Sequence, residues 1–386
     1  MGGVRLSGKL NQNWRLGLLS IQTADDIVNE IASNNNTMLA LQKKMFSRSN
    51  LSAFFINRES FEDYDFLDRE DEYNRVIGAD YNLASADNVW QGKAYLHKSF
   101  QPDDKKGNFS SGFFLGRSSR FFNVFTDWAF VDDDFRSDLG FIRRTDILKS
   151  ATQLETVFWP KSNIVNNYSF ALFPIIVWRP DLDFQNTDHE IRLSSKVEMQ
   201  NLSEFEIGFT NEFTYLTAED DDFVPSNEEN GVPLPNLIGY HYNSGSLLYK
   251  SNEAKVFAYE LESTIGRFFN GDRFSLKAEA KLRIQPKALI SLQVNYDKIS
   301  LPDPYPSADL WLISPRIELT FSKSLFWNTL IQYSNQADNF GVNSRLQWRF
   351  APLSDLFIVY NDNYFVDRFS PRFRSINLKF TYWLNI

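Results

Sequence analysis

Residues 273–284 alternate without a break. Phe274, Leu276, Ala278, Ala280, Leu282 and Ile284 are apolar, whereas Arg273, Ser275, Lys277, Glu279, Lys281 and Arg283 are polar or charged. Only an extended strand sends successive side chains to opposite faces, so this segment reads as a ribbon with one apolar and one charged side. The preceding run repeats the pattern, with Phe257, Tyr259, Leu261 and Ile265 on one side and Glu260, Glu262 and Thr264 on the other. Asn270-Gly271 joins the two runs, a dipeptide that supplies the positive φ angles of a tight hairpin. Runs of roughly ten to fourteen residues exceed the usual strand of about five or six. They reach the roughly nine to eleven that a tilted strand needs to cross a bilayer.

A membrane β-barrel accommodates the rest of the composition. The chain has 386 residues, 36 Phe and 16% aromatic residues, which suits strands and the aromatic girdles at membrane interfaces. Mean hydropathy is −0.37 and no apolar run reaches the length of a spanning helix. A barrel shows no such run, because half of its strand residues face a polar lumen. The expected fold is therefore all-β: one large antiparallel transmembrane β-barrel of about 21–22 strands over residues 1–386, with short periplasmic turns and longer extracellular loops. A large soluble sandwich or propeller is the alternative, but its strands are usually shorter. The formal net charge of −9 argues against a nucleic-acid partner, which needs a basic face. The absence of cysteine is compatible with an oxidising compartment.

The connections alternate between two kinds. Short ones are expected near Asn11–Asn13, Ser49–Asn50, Ala86–Asn88, Arg120, Pro160–Asn163, Asn201–Glu204, Asn252–Glu253, Pro286–Lys287, Ser322–Ser324 and Ala351–Asp355. Long ones fall near Ala24–Asn36, Phe61–Asn74, Pro102–Asn108, Asp133–Lys149, Pro180–Asp188, Ala218–Ile238, Leu301–Ala308 and Asp367–Phe373, with tight exceptions at Phe269–Asp272 and Gln336–Gly341. Barrels of the outer membrane place short turns at the periplasm and longer loops outside. The start, Met1-Gly2-Gly3-Val4, leads directly into strand-like sequence without a signal peptide. With an even strand count as the norm, at least one ascending strand is expected upstream of Met1. At the other end Ile376, Leu378, Phe380, Tyr382, Leu384 and Ile386 share a face, the alternation that outer-membrane assembly machinery commonly recognises in a closing strand.

Three stretches resemble a Bacteroidota outer-membrane barrel family. They are Arg5–Lys9 with Trp14–Thr23, Tyr73–Tyr81 and Asp134–Asp146. The resemblance implies a barrel that, in full-length members, follows a signal peptide and a periplasmic module similar to family-9 carbohydrate-binding modules. It transfers no catalytic residues.

The charged face holds the candidate site residues. Arg273, Lys277, Glu279, Lys281 and Arg283 share it with Glu260 and Glu262, with Arg192 and Lys196 (beside Glu190 and Glu198) on an earlier strand and Arg345 and Arg349 on a later one. Basic residues around a lumen would attract anionic or sugar-like solutes. Equally, they would form salt bridges to acids on neighbouring strands. Asp132, Asp133 and Asp134, with Asp220, Asp221 and Asp222, are candidates for an acidic rim, and so is the run Asp68–Glu72. None of these has the calcium-loop pattern, and a solvated rim is the simpler reading. Arg143-Arg144 beside Asp146 is expected to pair with the acids across the mouth. His97 lies two residues before Ser99, and a Ser–His pair on a barrel wall resembles outer-membrane phospholipases, yet a nucleophile needs a base in reach and an orienting third group. No residue is assigned a catalytic, cofactor-binding or metal-ligating role.

The expected function is passage or binding of a solute, oligosaccharide-related on the strength of the resemblance. The partners are the lipid bilayer, the assembly machinery and a glycan ligand. A membrane-anchored glycan hydrolase and a membrane scaffold are the alternatives.

Overall fold

The computed structural model describes residues 2–102, 108–228, 230–366 and 368–384. Ile386 and parts of the connections expected at Pro102–Asn108, Ala218–Ile238 and Asp367–Phe373 lie outside the described residues. The chain is all-β. Twenty-one strands form one antiparallel sheet, and the only helices among the described residues are single 3-10 turns. No helix there is long and apolar enough to cross a membrane.

Two units make up the fold, Met1–Val157 with Ala171–Ile191, and Phe158–Phe170 with Arg192–Ile386. The first holds β1 (Gly2–Lys9), β2 (Trp14–Gln22), β3 (Asn35–Met45), β4 (Ser49–Glu59), β5 (Tyr73–Ala84), β6 (Trp90–Phe100), β7 (Phe109–Arg117), β8 (Phe122–Val131) and most of β9 (Ile147–Phe158). Strands β10 (Val165–Arg179) and β11 (Gln185–Met199) are divided between the units. The second holds β12 (Glu204–Leu216), β13 (Ile238–Lys250), β14 (Phe257–Phe268), β15 (Gly271–Ile284), β16 (Ala288–Ser300) and β17 (Ala308–Thr320). It continues through β18 (Leu325–Ser334), β19 (Asn339–Ala351), β20 (Ser354–Tyr364) and β21 (Pro371–Thr381).

Register follows the alternation in the sequence. Between β14 and β15, Phe257 stands opposite Leu282, Leu261 opposite Ala278 and Ile265 opposite Phe274. On the other face Glu262 stands opposite Lys277 and Thr264 opposite Ser275. A slip of one residue would put every charge among the apolar side chains, so the pattern pins the register. The apolar face is bare: Ile265 is 66% exposed and Ile207 52%. Within each unit the described residues hold no second sheet and no α-helix to cover it.

Apolar packing appears instead at the long-loop end of the second unit. Leu216, Leu234 and Phe269 are buried together, with Phe223, Tyr240, Phe268 and Tyr305 against them. This cluster corrects the expected Asn270-Gly271 turn. The two loop residues are Phe269 and Asn270, and Phe269 takes the left-handed conformation (φ 51°). That conformation costs a bulky residue roughly 1–2 kcal/mol, and burying a phenylalanine returns about 1.5–3. Gly271 serves another purpose, since a Cβ there would press into the Ser300 carbonyl. The turn expected at Ser49–Asn50 is likewise displaced, to residues 46–48, where Phe46 has φ 52°. The hairpin β1–β2 encloses Asn11, whose side chain accepts from the Asn13 and Trp14 amides at 2.8 and 3.0 Å.

Candidate functional site

The polar face of the second unit is built from strands whose odd–even pattern sends their charges to the same side. Arg273 on β15 donates to Asp297 on β16 at 2.6 Å, and Ser275 donates to the same carboxylate. Lys277 reaches Glu262 at 3.3 Å, and Lys281 reaches Glu279 at 3.0 Å and Glu253 at 3.4 Å. Glu260 pairs with Lys250 at 3.6 Å, and Arg283 donates to the Glu253 carbonyl at 2.6 Å. On β11 Arg192 pairs with Glu206 at 2.9 Å, while Lys196 pairs with Glu198 at 3.3 Å. On β19 Arg349 pairs with Asp355 at 3.2 Å, and Arg345 lies 3.1 Å from the Asn328 amide. Six of the eight lysines and arginines read from the sequence are therefore paired with a carboxylate, while Arg283 and Arg345 meet a carbonyl and a side-chain amide. Each such pair is partly exposed and contributes up to about 1 kcal/mol, so its larger effect is to hold the face in one arrangement.

A recess of about 180 Å³ opens in this face. Glu262, Arg273, Lys277 and Ser275 line it with Glu212, Ser244, Thr264, Arg267 and Phe268. Gly266 forms its floor, where a Cβ would collide with the Asn243 carbonyl and the Ser244 backbone. The recess thus offers carboxylates, cations, hydroxyls and one aromatic ring within a single hollow. A second recess of about 270 Å³ lies along β17–β19, lined by Arg316, Glu318, Asn328, Thr329, Leu330, Asn343 and Arg345. Asp297 was within reach of sequence reasoning, because Ser291, Gln293, Asn295 and Asp297 alternate on β16 with Leu292, Val294 and Tyr296.

In the first unit two of the stretches that carry the family resemblance meet in space. The Asn74 side chain on β5 donates to the Arg136 carbonyl at 3.1 Å and accepts from the Asp138 amide at 3.0 Å. Arg58 on β4 donates to Asp138 at 2.6 Å, and Arg136 donates to Asp138 at 2.6 Å and to Asp71. Ser99 accepts from the Arg136 amide at 3.2 Å, and Asn74 and Ser99 are almost wholly buried. Burial works against the charge on Arg136. Asp71 and Asp138 outweigh it, holding its pKa above the ordinary guanidinium value. This network fastens the connection between β8 and β9 onto β4, β5 and β6. Sequence reasoning missed it, since its members stand far apart in the chain and no local pattern links them.

His97 does not pair with Ser99. Its Nε2 lies 2.9 Å from an Asp80 oxygen, and its ring packs on Tyr95 and Phe54. His189 lies within 3.1 Å of the Asn186 side-chain oxygen, and the His241 ring packs at a tilt against Phe213.

The acidic runs have separate local roles. The Asp132 carboxylate accepts from the Phe109 amide at 3.0 Å, and the Asp134 carbonyl accepts from Gln101 at 3.4 Å. Asp220 caps its own 3-10 turn by accepting from the Thr217 amide and hydroxyl. Asp133 lines a small hollow with Glu70 and Arg136, while Asp221 and Asp222 follow the Asp220 turn in the β12–β13 connection. No group of three or more His, Asp or Glu side chains is placed to hold a metal ion among the described residues. The expected pairing of Arg143-Arg144 with these acids is corrected for Arg144, and Asp146 beside them has a partner of its own. Arg144 binds Asp188 at 2.8 Å, and Asp146, nearly buried, accepts from Arg179 at 2.6 Å. Asp146 in turn raises the pKa of Asp181, with burial and Asp133 adding to the effect and Arg179 opposing it.

No curated protein matches the chain. A family model described as a domain of unknown function, DUF5916, matches residues 19–307, which include the Arg136 network and the recess around Gly266. Strands β17–β21 follow the matched segment. With most of its length covered by that model, the chain belongs to the DUF5916 family.

Proposed function

We propose that this chain forms the wall of an outer-membrane β-barrel whose enclosed polar face binds or passes a polar solute of the glycan class. One observation carries the reading. Successive long strands leave their apolar faces bare while their charged faces are paired internally, the reverse of a water-soluble sheet. Lipid is the environment in which a bare apolar face is the stable arrangement and neutralised pairs belong on the opposite side. In this reading the short turns are periplasmic and the longer connections extracellular, and assembly machinery engages β21. The Arg136 network draws one long connection down onto the wall.

A glycan is the solute class for two reasons. The family that the sequence resembles couples such barrels to a carbohydrate-binding module. The recess around Gly266 presents the Ser244 and Thr264 hydroxyls, the Glu262–Lys277 pair and the Phe268 ring, a mixture suited to a polyol rather than to a bare ion. The test is planar-bilayer conductance of protein refolded into lipid. Ohmic steps that neutral oligosaccharides block in a concentration-dependent way are expected. Silence from properly folded protein would overturn the passage reading, and steps indifferent to oligosaccharides would overturn the glycan assignment.

A further inference from the structure

Six connections of the second unit lie along the short-turn edge: residues 159–164, 200–203, 251–256, 285–287, 321–324 and 352–353. Hydrogen bonds join the first three to one another and fasten the third, fourth and fifth to the adjacent strand ends. The Gln200 amide donates to the Ile164 carbonyl (2.8 Å) and the Asn252 side chain to the Asn201 carbonyl (2.8 Å). The Arg283 amide donates to the Val256 carbonyl (2.7 Å), the Thr320 amide to the Lys287 carbonyl (2.8 Å) and the Arg349 amide to the Ser324 carbonyl (2.7 Å).

Two kinds of side chain interleave on this rim. Ile164, Leu202, Val256 and Leu353 are between 65 and 70% exposed, and Phe321 is 58% exposed. Leu202 and Leu353 hold left-handed conformations, with φ 65° and 58°. Asn or Gly would occupy those positions at lower backbone cost, so leucine there gains the fold nothing. Between them stand Lys161, Lys255, Lys287 and Lys323, all exposed and none in an ion pair among the described residues. The rim's one acid, Glu253, is held by Lys281. By contrast, the connections at the opposite edge of this unit carry seven acids against Arg368 alone among the described residues.

We infer that this rim seats in the headgroup layer of an anionic phospholipid membrane. The leucines, Ile164, Val256 and Phe321 reach the acyl boundary, and the four lysines meet lipid phosphates. Charge complementarity selects the anionic lipid. Continuity selects lipid over a protein partner, since Phe321 prolongs the apolar face of β17 that runs through Trp311, Ile313, Pro315, Ile317 and Leu319. The inference rests on the membrane-spanning reading above and adds where that span ends.

The chain contains no cysteine, so single-cysteine labelling is clean. Leu202→Cys, Leu353→Cys and, as a reference on the lipid face, Leu261→Cys would each carry an environment-sensitive fluorophore. The labelled proteins are refolded into phosphatidylcholine vesicles with or without phosphatidylglycerol. Blue-shifted emission at 202 and 353, quenched by headgroup-level nitroxide lipids and more strongly with phosphatidylglycerol, is the expected result. Changing the four lysines to glutamine should lower the preference for anionic vesicles by roughly fivefold per lysine. Water-like emission at 202 and 353 with a deep label at 261 overturns this inference alone and leaves the rim to a protein partner. Water-like emission at 261 overturns the spanning reading, and this inference with it.

Discussion

Replacing Leu261 with arginine separates a lipid-facing wall from a water-facing one. Leu261 is 47% exposed and stands between Tyr249 and Ala278 on the apolar face of β14. In water, an arginine at such an open position would change stability by no more than about 0.5 kcal/mol. In a bilayer the position matters. Four residues separate Leu261 from the start of β14 at Phe257, about 13 Å along the strand at ~3.3 Å per residue. A tilt of about 45° converts this to a depth of roughly 9 Å within an apolar band about 25 Å tall. Arginine near the middle of that band costs ~2–4 kcal/mol, which lowers the folding equilibrium at least about 25-fold. Thr264→Arg on the opposite face should cost less than about 1 kcal/mol, since lumen-side changes escape the lipid penalty. Urea unfolding in phosphatidylcholine vesicles, followed by tryptophan fluorescence, measures both variants. If Leu261→Arg stays within ~0.5 kcal/mol of the parent, lipid does not contact this face.

Four further outcomes are expected. Arg58→Ala should destabilise the β8–β9 connection by roughly 1–3 kcal/mol, because it leaves the shielded Asp138 short of a donor; limited proteolysis within residues 132–146 reads the loss. Gly266→Ala should cost ~1–3 kcal/mol by overpacking against the Asn243 backbone, which cannot yield, whereas Gly17→Ala, with open space around its Cβ, should be near neutral; equilibrium unfolding distinguishes them. Asp181, with its pKa raised in the fold by Asp146, contributes stability below the unfolded carboxylate pKa and loses it as pH rises through the folded value. Asp181→Asn should therefore slow amide exchange in the β10–β11 connection at neutral pH and make no difference in acid. Lys277→Ala should leave Glu262 without its partner at the recess and change oligosaccharide block of conductance while leaving the urea midpoint nearly unmoved.

Strands with strict alternation were legible because one face is apolar from end to end, and β14 and β15 needed only that to be placed in register. Their charged members were legible for the same reason: Arg273, Lys277 and Lys281 could point only one way. Their partners were harder. Glu262 and Lys277 sit on sequence-adjacent strands, and counting parity across one hairpin finds the pair. Arg58, Asn74 and Arg136 are joined across several strands, and nothing in local sequence reports such a contact. Turns failed where tertiary packing overrode turn chemistry. Asn270-Gly271 looked like the hairpin corner, but burial of Phe269 against Leu216 and Leu234 moved it by one residue. The acidic runs were legible as charge in the long connections, but not the local bonds by which Asp132 and Asp220 each serve the backbone of their own connection.

Strand orientation in the membrane tests the wall most directly. Polarised infrared spectroscopy of the protein refolded into oriented bilayers gives the angle between the strands and the membrane normal from the amide bands. Strands inclined by about 35–45° are the predicted result. Strands lying in the plane of the bilayer, or without preferred orientation, would contradict it.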